Sequence, residues 1–176
     1  NMVDQEVDII IPIATPSAVA AMAATEDKDI PIVFSAISDP VTSGIVEDMN
    51  APGGKITGTS DALNTNAIMD LMFAVDPDCD YVGFLYNVGE DSATMPIADA
   101  KAYLDTKGVK YVEKTGTTTD EILLAAQALV AEGVDAVFTP TDNTVQKAEL
   151  TIYETFLNAN IPHYGGADSF ALNGAF

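Results

Sequence analysis

The chain has 176 residues, of which 48% are hydrophobic, and it carries a net charge of −20 at pH 7 from 27 acidic and 7 basic side chains. Because so acidic a chain repels the phosphate backbone, we expect no nucleic-acid partner. The sequence contains no apolar run of about 18 residues, so it predicts no transmembrane helix. The single cysteine, Cys79, excludes an intrachain disulfide.

The first part of the chain consists of short apolar runs that end in polar helix-start residues. In IPIVFSAISDP, for example, an apolar run is followed by Ser38, Asp39 and Pro40. Such a run is typical of a buried parallel strand, and Ser or Asp before proline is typical of a helix N-terminus. The predicted elements are a helix end at 1–6, strands at 7–14, 32–35 and 55–59, and helices at 16–24 and 41–48.

The same rhythm restarts after Ser60 and Asp61. On the first helix, the apolar spacing predicts a buried face made of Ile68, Leu71, Met72 and Val75. A later helix, 120–131, is predicted to be capped by Thr119. The predicted helices of this part are 64–75, 92–106, 120–131 and 143–158, and the predicted strands are 81–86, 109–114, 135–139 and 161–164. Residues 168–176 are predicted to begin another helix or a loop.

Alternating strands and helices with short connections predict βαβ units and parallel sheets, which is the α/β class. The pattern contains about seven strands, which is many for one compact sheet of this size. The link 57–61 (TGTSD) is short and polar. We therefore predict two lobes, at 1–60 and 61–176, with a hinge near 57–61.

Polar residues follow the predicted strands at five places along the chain. In α/β sheets, ligands bind at the carboxyl ends of the strands, where helix N-termini attract anions. The set of polar strand ends therefore predicts the rim of a small-molecule cleft. Each of these residues, taken alone, is also explained by simple helix capping.

Motifs of common enzymes are absent from the sequence. No GxGxxG follows a predicted strand, Gly53-Gly54-Lys55 lacks the spacing of a P-loop, and no GxSxG occurs. His163 is the only histidine, which argues against a zinc site or a His–Cys catalytic pair. We expect a binding module without cofactor or metal rather than an enzyme.

The chain resembles a known family through a series of motifs in a fixed order. These motifs are IATPSA, IPIVFSAISDPV, ITGTSD, VGFLYNVGEDS, FTPTDNTV and the ending IPHYGGADS…NGA. They are similar to those of ABC-transporter substrate-binding proteins of the tryptophan/tyrosine-binding group, which have the type I periplasmic-binding-protein fold. The resemblance implies two Rossmann-like lobes that close on an aromatic or related amino acid.

The resemblance also implies a setting for the protein. A solute-binding protein of this kind works outside the cytoplasm, in the periplasm or lipid-anchored at the cell surface, and delivers its ligand to an ABC-transporter permease. Its contact with the membrane would be made only through an N-terminal anchor that this sequence does not include. Compared with the family, the sequence is expected to be an internal fragment with an incomplete first lobe.

An amino-acid ligand needs a carboxylate site, an ammonium site and a side-chain pocket. For the carboxylate we predict the helix starts at 15–17 and 87–92. For the ammonium group we predict Asp142 or Asp168, and then Asp39. The aromatic ring is expected to stack on Tyr86 or Phe34, of which Phe34 fits the core better.

The predicted ligand-binding residues are Thr15, Ser17, Ser35, Asp39, Tyr86, Asn87, Ser92, Thr141, Asp142, Asn143 and Asp168. Lobe closure is expected to bring Thr15, Ser35 and Asp39 against Tyr86, Asn87 and Asp142.

Two other classes of protein stay open at this point. One is a sugar or nucleoside receptor of the same fold, although the lack of arginine argues weakly against it. The other is a small α/β enzyme that uses paired carboxylates, such as Glu90 and Asp91, or Asp142.

Overall fold

The computed structural model describes residues 2–176, and Asn1, the first residue of the predicted helix end, lies outside them. The chain separates into two compact units, Asn1–Ala62 and Leu63–Phe176. The boundary after Ala62 lies beside the segment 57–61, whose role as a hinge stays a prediction. None of the described helices has both the length and the hydrophobicity needed to cross a membrane.

The described residues of unit 1, 2–62, form a small parallel sheet and one α-helix. Strand β1 (Ile32–Ile37) pairs in parallel with β2 (Ile56–Ser60), and helix α1 (Thr15–Ala24) precedes them. The predicted helix end at 1–6 is a short 3-10 helix, Val3–Gln5. Two small apolar clusters hold this unit together, one around Phe34 and Ile37 and one around Ile10 and Ile32.

The strand predicted at 7–14 is reduced to isolated bridges beside β1, so this prediction is wrong in extent. Ile10 and Ile13 form parallel bridges with Ile32 and Ser35. Pro12 stands between them and has no N–H to donate to β1, although its carbonyl still accepts from the Ser35 N–H at 3.0 Å. The missing donor interrupts the ladder.

The helix predicted at 41–48 is also wrong, because the segment forms turns. The N–H of Ser43 donates to the carbonyl of Asp39 at 3.1 Å, which starts one helical turn. Gly44 then takes a φ of +68°, in the left-handed region, and the chain leaves the helical path.

Unit 2 is a doubly wound α/β layer structure. Its parallel sheet has the strand order β4-β3-β5-β6, so β3 and β5 are the central strands. Its strands are β3 (Tyr81–Tyr86), β4 (Lys110–Thr115), β5 (Ala136–Thr139) and β6 (His163–Gly165). Its helices are α2 (Thr65–Val75), α3 (Asp91–Lys107), α4 (Thr119–Glu132), α5 (Asn143–Ala159) and α6 (Asp168–Leu172).

Two apolar clusters cover the two faces of this sheet. One lies under α2 and α3 and includes Met72 and Leu104, and the other lies under α4 and α5 and includes Leu129 and Phe156. The predicted α/β class with parallel sheets is confirmed. Central strands that are buried on both faces must be apolar throughout, and this is why the run Val82–Leu85 shows no alternation.

Two local predictions in unit 2 need correction. In α2, Leu71 and Val75 are 45% and 50% exposed, whereas Met69 and Met72 are buried, so the helix packs through a face rotated from the predicted one. Helix α4 is capped by Thr118 instead of Thr119: the Thr118 side chain accepts from the Glu121 N–H.

Candidate functional site

The carboxyl edge of the unit 2 sheet brings the starts of α3 and α5 together. Both helices follow the adjacent central strands β3 and β5, so parallel pairing fixes them side by side. The loop after β3 carries Asn87 and Glu90, and the loop after β5 carries Asp142, Asn143 and Thr144. These residues form one hydrogen-bonded polar network, which we call the edge network.

Asp142 is the buried centre of the edge network, with no exposed surface. One carboxylate oxygen accepts from the N–H groups of Thr144 and Val145 at 2.8 and 2.9 Å, and the other accepts from the Asn87 N–H at 2.6 Å. Asp142 therefore caps α5 and ties it to the end of β3. Burial raises the pKa of this carboxyl above its ordinary value, with the nearby Glu90 carboxylate adding to the effect.

Glu90 reaches from the start of α3 to the start of α5. Its carboxylate accepts from the Asn143 side-chain amide at 3.0 Å and from the Thr144 hydroxyl at 3.2 Å. The Asn87 side-chain amide in turn donates to the Thr144 hydroxyl oxygen at 2.9 Å. Glu90 is half-buried, so this network has an accessible side.

Tyr86 lies at the end of β3, but its hydroxyl is directed to neighbours within the unit. It donates to Glu113 of β4 at 2.5 Å, and Glu113 also pairs with Lys101 of α3 at 2.8 Å. Burial and the Glu113 carboxylate together raise the pKa of Tyr86 to about 12. The ring packs against the α2–α3 core cluster, and its predicted stacking on a ligand stays a prediction.

The other predicted residues of unit 2 lie outside the edge network. Ser92, the second residue of α3, is buried and its hydroxyl has no hydrogen-bond partner among the described residues. Thr141 donates its hydroxyl to the Gly166 carbonyl at 2.7 Å and so links the exits of β5 and β6. Asp168 is exposed at the first position of the five-residue helix α6.

In unit 1, the start of α1 lies beside the exit of β1. The Ala14 N–H donates to the Ser35 carbonyl at 3.0 Å, and Thr15 is the residue that follows this hydrogen bond to β1. The N-terminus of α1 has no side-chain cap. The Ser17 hydroxyl donates back to the carbonyls of Ile13 and Ala14, the latter at 2.9 Å.

The two remaining predicted residues of unit 1 have structural contacts. One carboxylate oxygen of Asp39 accepts from the N–H groups of Val41 and Thr42 at 3.2 and 3.0 Å, which holds the turn after β1. Phe34 is buried in the unit 1 core, as the sequence suggests.

His163 lies in a buried pocket of its own in unit 2. Its Nε2 is 2.9 Å from the Thr139 hydroxyl, and its Nδ1 is 3.5 Å from a carboxylate oxygen of the buried Glu149. Phe156 and Phe170 pack against its ring. No group of three or more His, Cys, Asp and Glu side chains within residues 2–176 is placed to hold a metal ion.

The structure thus joins three of the predicted residues, Asn87, Asp142 and Asn143, and adds two that sequence reasoning did not select as ligand-binding residues. Those two are Glu90 and Thr144. A sequence signal exists for both, since each lies within the helix-start segment after a central strand. Nothing local, however, indicates that their side chains meet, because they are 54 positions apart.

Comparison with known proteins places the chain in a family. The family described as ABC transporter substrate binding protein matches residues 1–176. A tyrosine-binding protein of Clostridioides difficile (strain R20291) is 32% identical over 175 residues, which is 99% of this chain and 50% of that protein.

Two solved structures resemble the chain closely. A conserved domain protein from Vibrio cholerae is 33% identical with a TM-score of 0.93, over 99% of this chain and 58% of that one. An ABC domain from Streptococcus pneumoniae in complex with L-Trp is 30% identical with a TM-score of 0.92, over 98% of this chain and 58% of that one. The chain spans about half the length of the curated relative that it matches. It belongs to the family of ABC transporter substrate-binding proteins.

Proposed function

We propose that this chain binds an amino acid with an aromatic side chain, as the ligand-binding part of an extracytoplasmic component of an ABC importer. The observation that carries the proposal is the edge network of unit 2. It combines a half-buried carboxylate, an amide and a hydroxyl at the starts of two helices, at the edge of a parallel sheet where small molecules bind.

The chemistry of a zwitterion fits these groups. The α-carboxylate is suited to a helix N-terminus that no side chain caps, and α3, which begins at the edge network, has such an N-terminus. The ammonium group is suited to a carboxylate at the edge network. The aromatic part of the proposal is supported by the tyrosine-binding relative and by the L-Trp complex.

The importer role includes a permease as partner and a location outside the cytoplasm, at the cell surface or in the periplasm. Membership in the family supports both parts of this proposal. The charge of −20 keeps such a chain soluble and disfavours nucleic acids.

A thermal-shift screen of the 176-residue chain against the natural amino acids tests the proposal, with sugars, nucleosides and 4-hydroxybenzoate as controls. A ligand at ~100 times its dissociation constant adds about 2.7 kcal/mol to the free energy of unfolding. We expect a shift with tryptophan, tyrosine or phenylalanine. A shift with sugars alone, or with no amino acid, would overturn the proposal.

A further inference from the structure

We propose that Glu90 binds the α-ammonium group of the ligand and that Asn143 and Thr144 hold its carboxylate in place for this contact. The inference rests on the proposed function and assigns one of its groups to a residue. If Glu90 has this role, the chain binds aromatic amino acids more tightly than aromatic acids that have no amine.

The first argument is the way in which Glu90 is held. Glu90 is the residue just before α3, yet its side chain makes no capping bond to that helix. Instead, the two oxygens accept separately from Asn143 and Thr144 at the start of α5. Two donors from another helix fix the position of the carboxylate. Each carboxylate oxygen has two lone pairs, so Glu90 retains capacity to accept from a ligand.

The second argument is charge. Among the described residues 2–176, lysine–carboxylate ion pairs join Lys101 to Glu113 and Lys114 to Glu132, and neither pair includes Glu90. The ammonium group of a ligand would form a charge-assisted hydrogen bond with this carboxylate, which has no cationic partner of its own among the ion pairs of the described residues.

The third argument is the surroundings of Glu90. Asp142, a second carboxylate, lies in the same network without exposed surface, which adds negative potential around Glu90. Ser92, two residues along the chain, is a buried hydroxyl without a hydrogen-bond partner among the described residues. The start of α3 thus holds an accessible carboxylate and, beneath the surface, a hydroxyl that no described residue satisfies, and an unsatisfied buried group of this kind is found more often near functional sites than in a plain core.

The three carboxylates predicted for the ammonium group fit less well. Asp142 is buried, and its oxygens already accept from three N–H groups. One oxygen of Asp39 holds the turn after β1 through two N–H groups, and its other oxygen is buried and so not open to a ligand. Asp168 is exposed on the short helix α6. Glu90 alone among these four is both held by side-chain donors and accessible.

Calorimetric titration tests this inference on the 176-residue chain. Each aromatic amino acid is titrated in parallel with its des-amino analogue, for example phenylalanine with 3-phenylpropionate and tryptophan with indole-3-propionate. We expect the unaltered chain to bind the amino acid at least about tenfold more tightly than the analogue, because a charge-assisted contact is lost in the analogue.

The variant Glu90→Gln keeps the size of the side chain and removes its charge. We expect it to bind the amino acid at least about tenfold more weakly, while the preference over the des-amino analogue disappears. A purely structural role would not remove that preference. Asp120→Asn is the matched control, because it removes one exposed carboxylate from the start of another helix of unit 2, α4, and it should leave both affinities unchanged.

The outcomes separate this inference from the proposed function. Equal affinity of the unaltered chain for an amino acid and its analogue would overturn the role of Glu90 and leave an aromatic-acid receptor, and this comparison needs no variant. Unchanged amino-acid affinity in folded Glu90→Gln would also overturn it. Absence of binding to any amino acid would overturn both proposals.

Discussion

Asp142 illustrates how one side chain can determine a local structure and also carry an energetic cost. Its carboxylate accepts three backbone N–H bonds, which favour the charged form, but it is fully buried, which disfavours that form. Burial is the larger effect, and the pKa is raised. The contribution of Asp142 to the free energy of unfolding therefore depends on pH.

The raised pKa of Asp142 predicts a sign for this dependence. Between the ordinary and the raised pKa, the folded state binds more protons than the unfolded state, so the free energy of unfolding falls as pH rises. Asp142→Asn removes this contribution. We expect the stability of the unaltered chain relative to Asp142→Asn to increase as pH falls from neutral through that window, measured by urea unfolding at a series of pH values. A difference that is constant with pH, or that decreases on acidification, would contradict the prediction.

At the scale of one element, the start of α4 shows how a helix boundary is fixed by a reciprocal pair. The Thr118 hydroxyl accepts from the Glu121 N–H, while the Glu121 carboxylate accepts from the N–H groups of Thr117 and Thr118. These bonds from Thr117 and Thr118 lower the pKa of Glu121. Thr118 and Thr119 look equivalent in sequence, and only the hydrogen bonds distinguish the cap, Thr118, from the first helical residue, Thr119.

This pair of threonines gives a matched experiment. Thr118→Ala removes the cap and should lower the free energy of unfolding by about 1 kcal/mol. Thr119→Ala, in which an exposed residue next to the cap is changed, should have an effect of less than about 0.5 kcal/mol. Urea unfolding of the two variants measures the difference, and a larger loss for Thr119→Ala would return the cap to the position that the sequence suggests.

At the scale of the whole molecule, the two units differ in how much core supports their sheets. In unit 2, helices cover both faces of a four-stranded sheet and its central strands are buried. In unit 1, two small clusters support a two-stranded sheet, and most of β2 is exposed. Because local stability follows buried apolar contact, the units are expected to open at different free energies.

Hydrogen exchange followed by mass spectrometry measures these openings. We expect the amides of β3 and β5 to exchange slowest, and those of β1 and β2 to exchange well before them. When residues 63–176 are prepared as a separate chain, β3 should keep its slow exchange, because the sheet and both core clusters of unit 2 lie within that range. Equal protection of β1 and β3 would show that the chain opens as one cooperative unit.

In unit 2, the order of strands and helices was determined by local patterns in the sequence. The apolar run 81–86 forms a strand with the predicted bounds, and Gly108 ends α3 in the left-handed conformation that its position after Lys107 indicates. Such features depend on burial periodicity and backbone propensity, which neighbouring residues specify by themselves. The parallel α/β class follows from their alternation.

Contacts between distant residues were decided only by the tertiary structure. Sequence marks Asp142 and Glu90 equally as carboxylates at helix starts, but Asp142 becomes a buried cap because the Asn87 N–H, 55 positions away, reaches its free oxygen. Likewise, the apolar residues Leu71 and Met69 lie on different faces of α2, and packing against the rest of unit 2 buries Met69 and leaves Leu71 exposed. Which polar groups are satisfied inside the protein, and which face a ligand, depends on pairings that no local pattern records, because parallel strands bring together segments that are far apart in the chain.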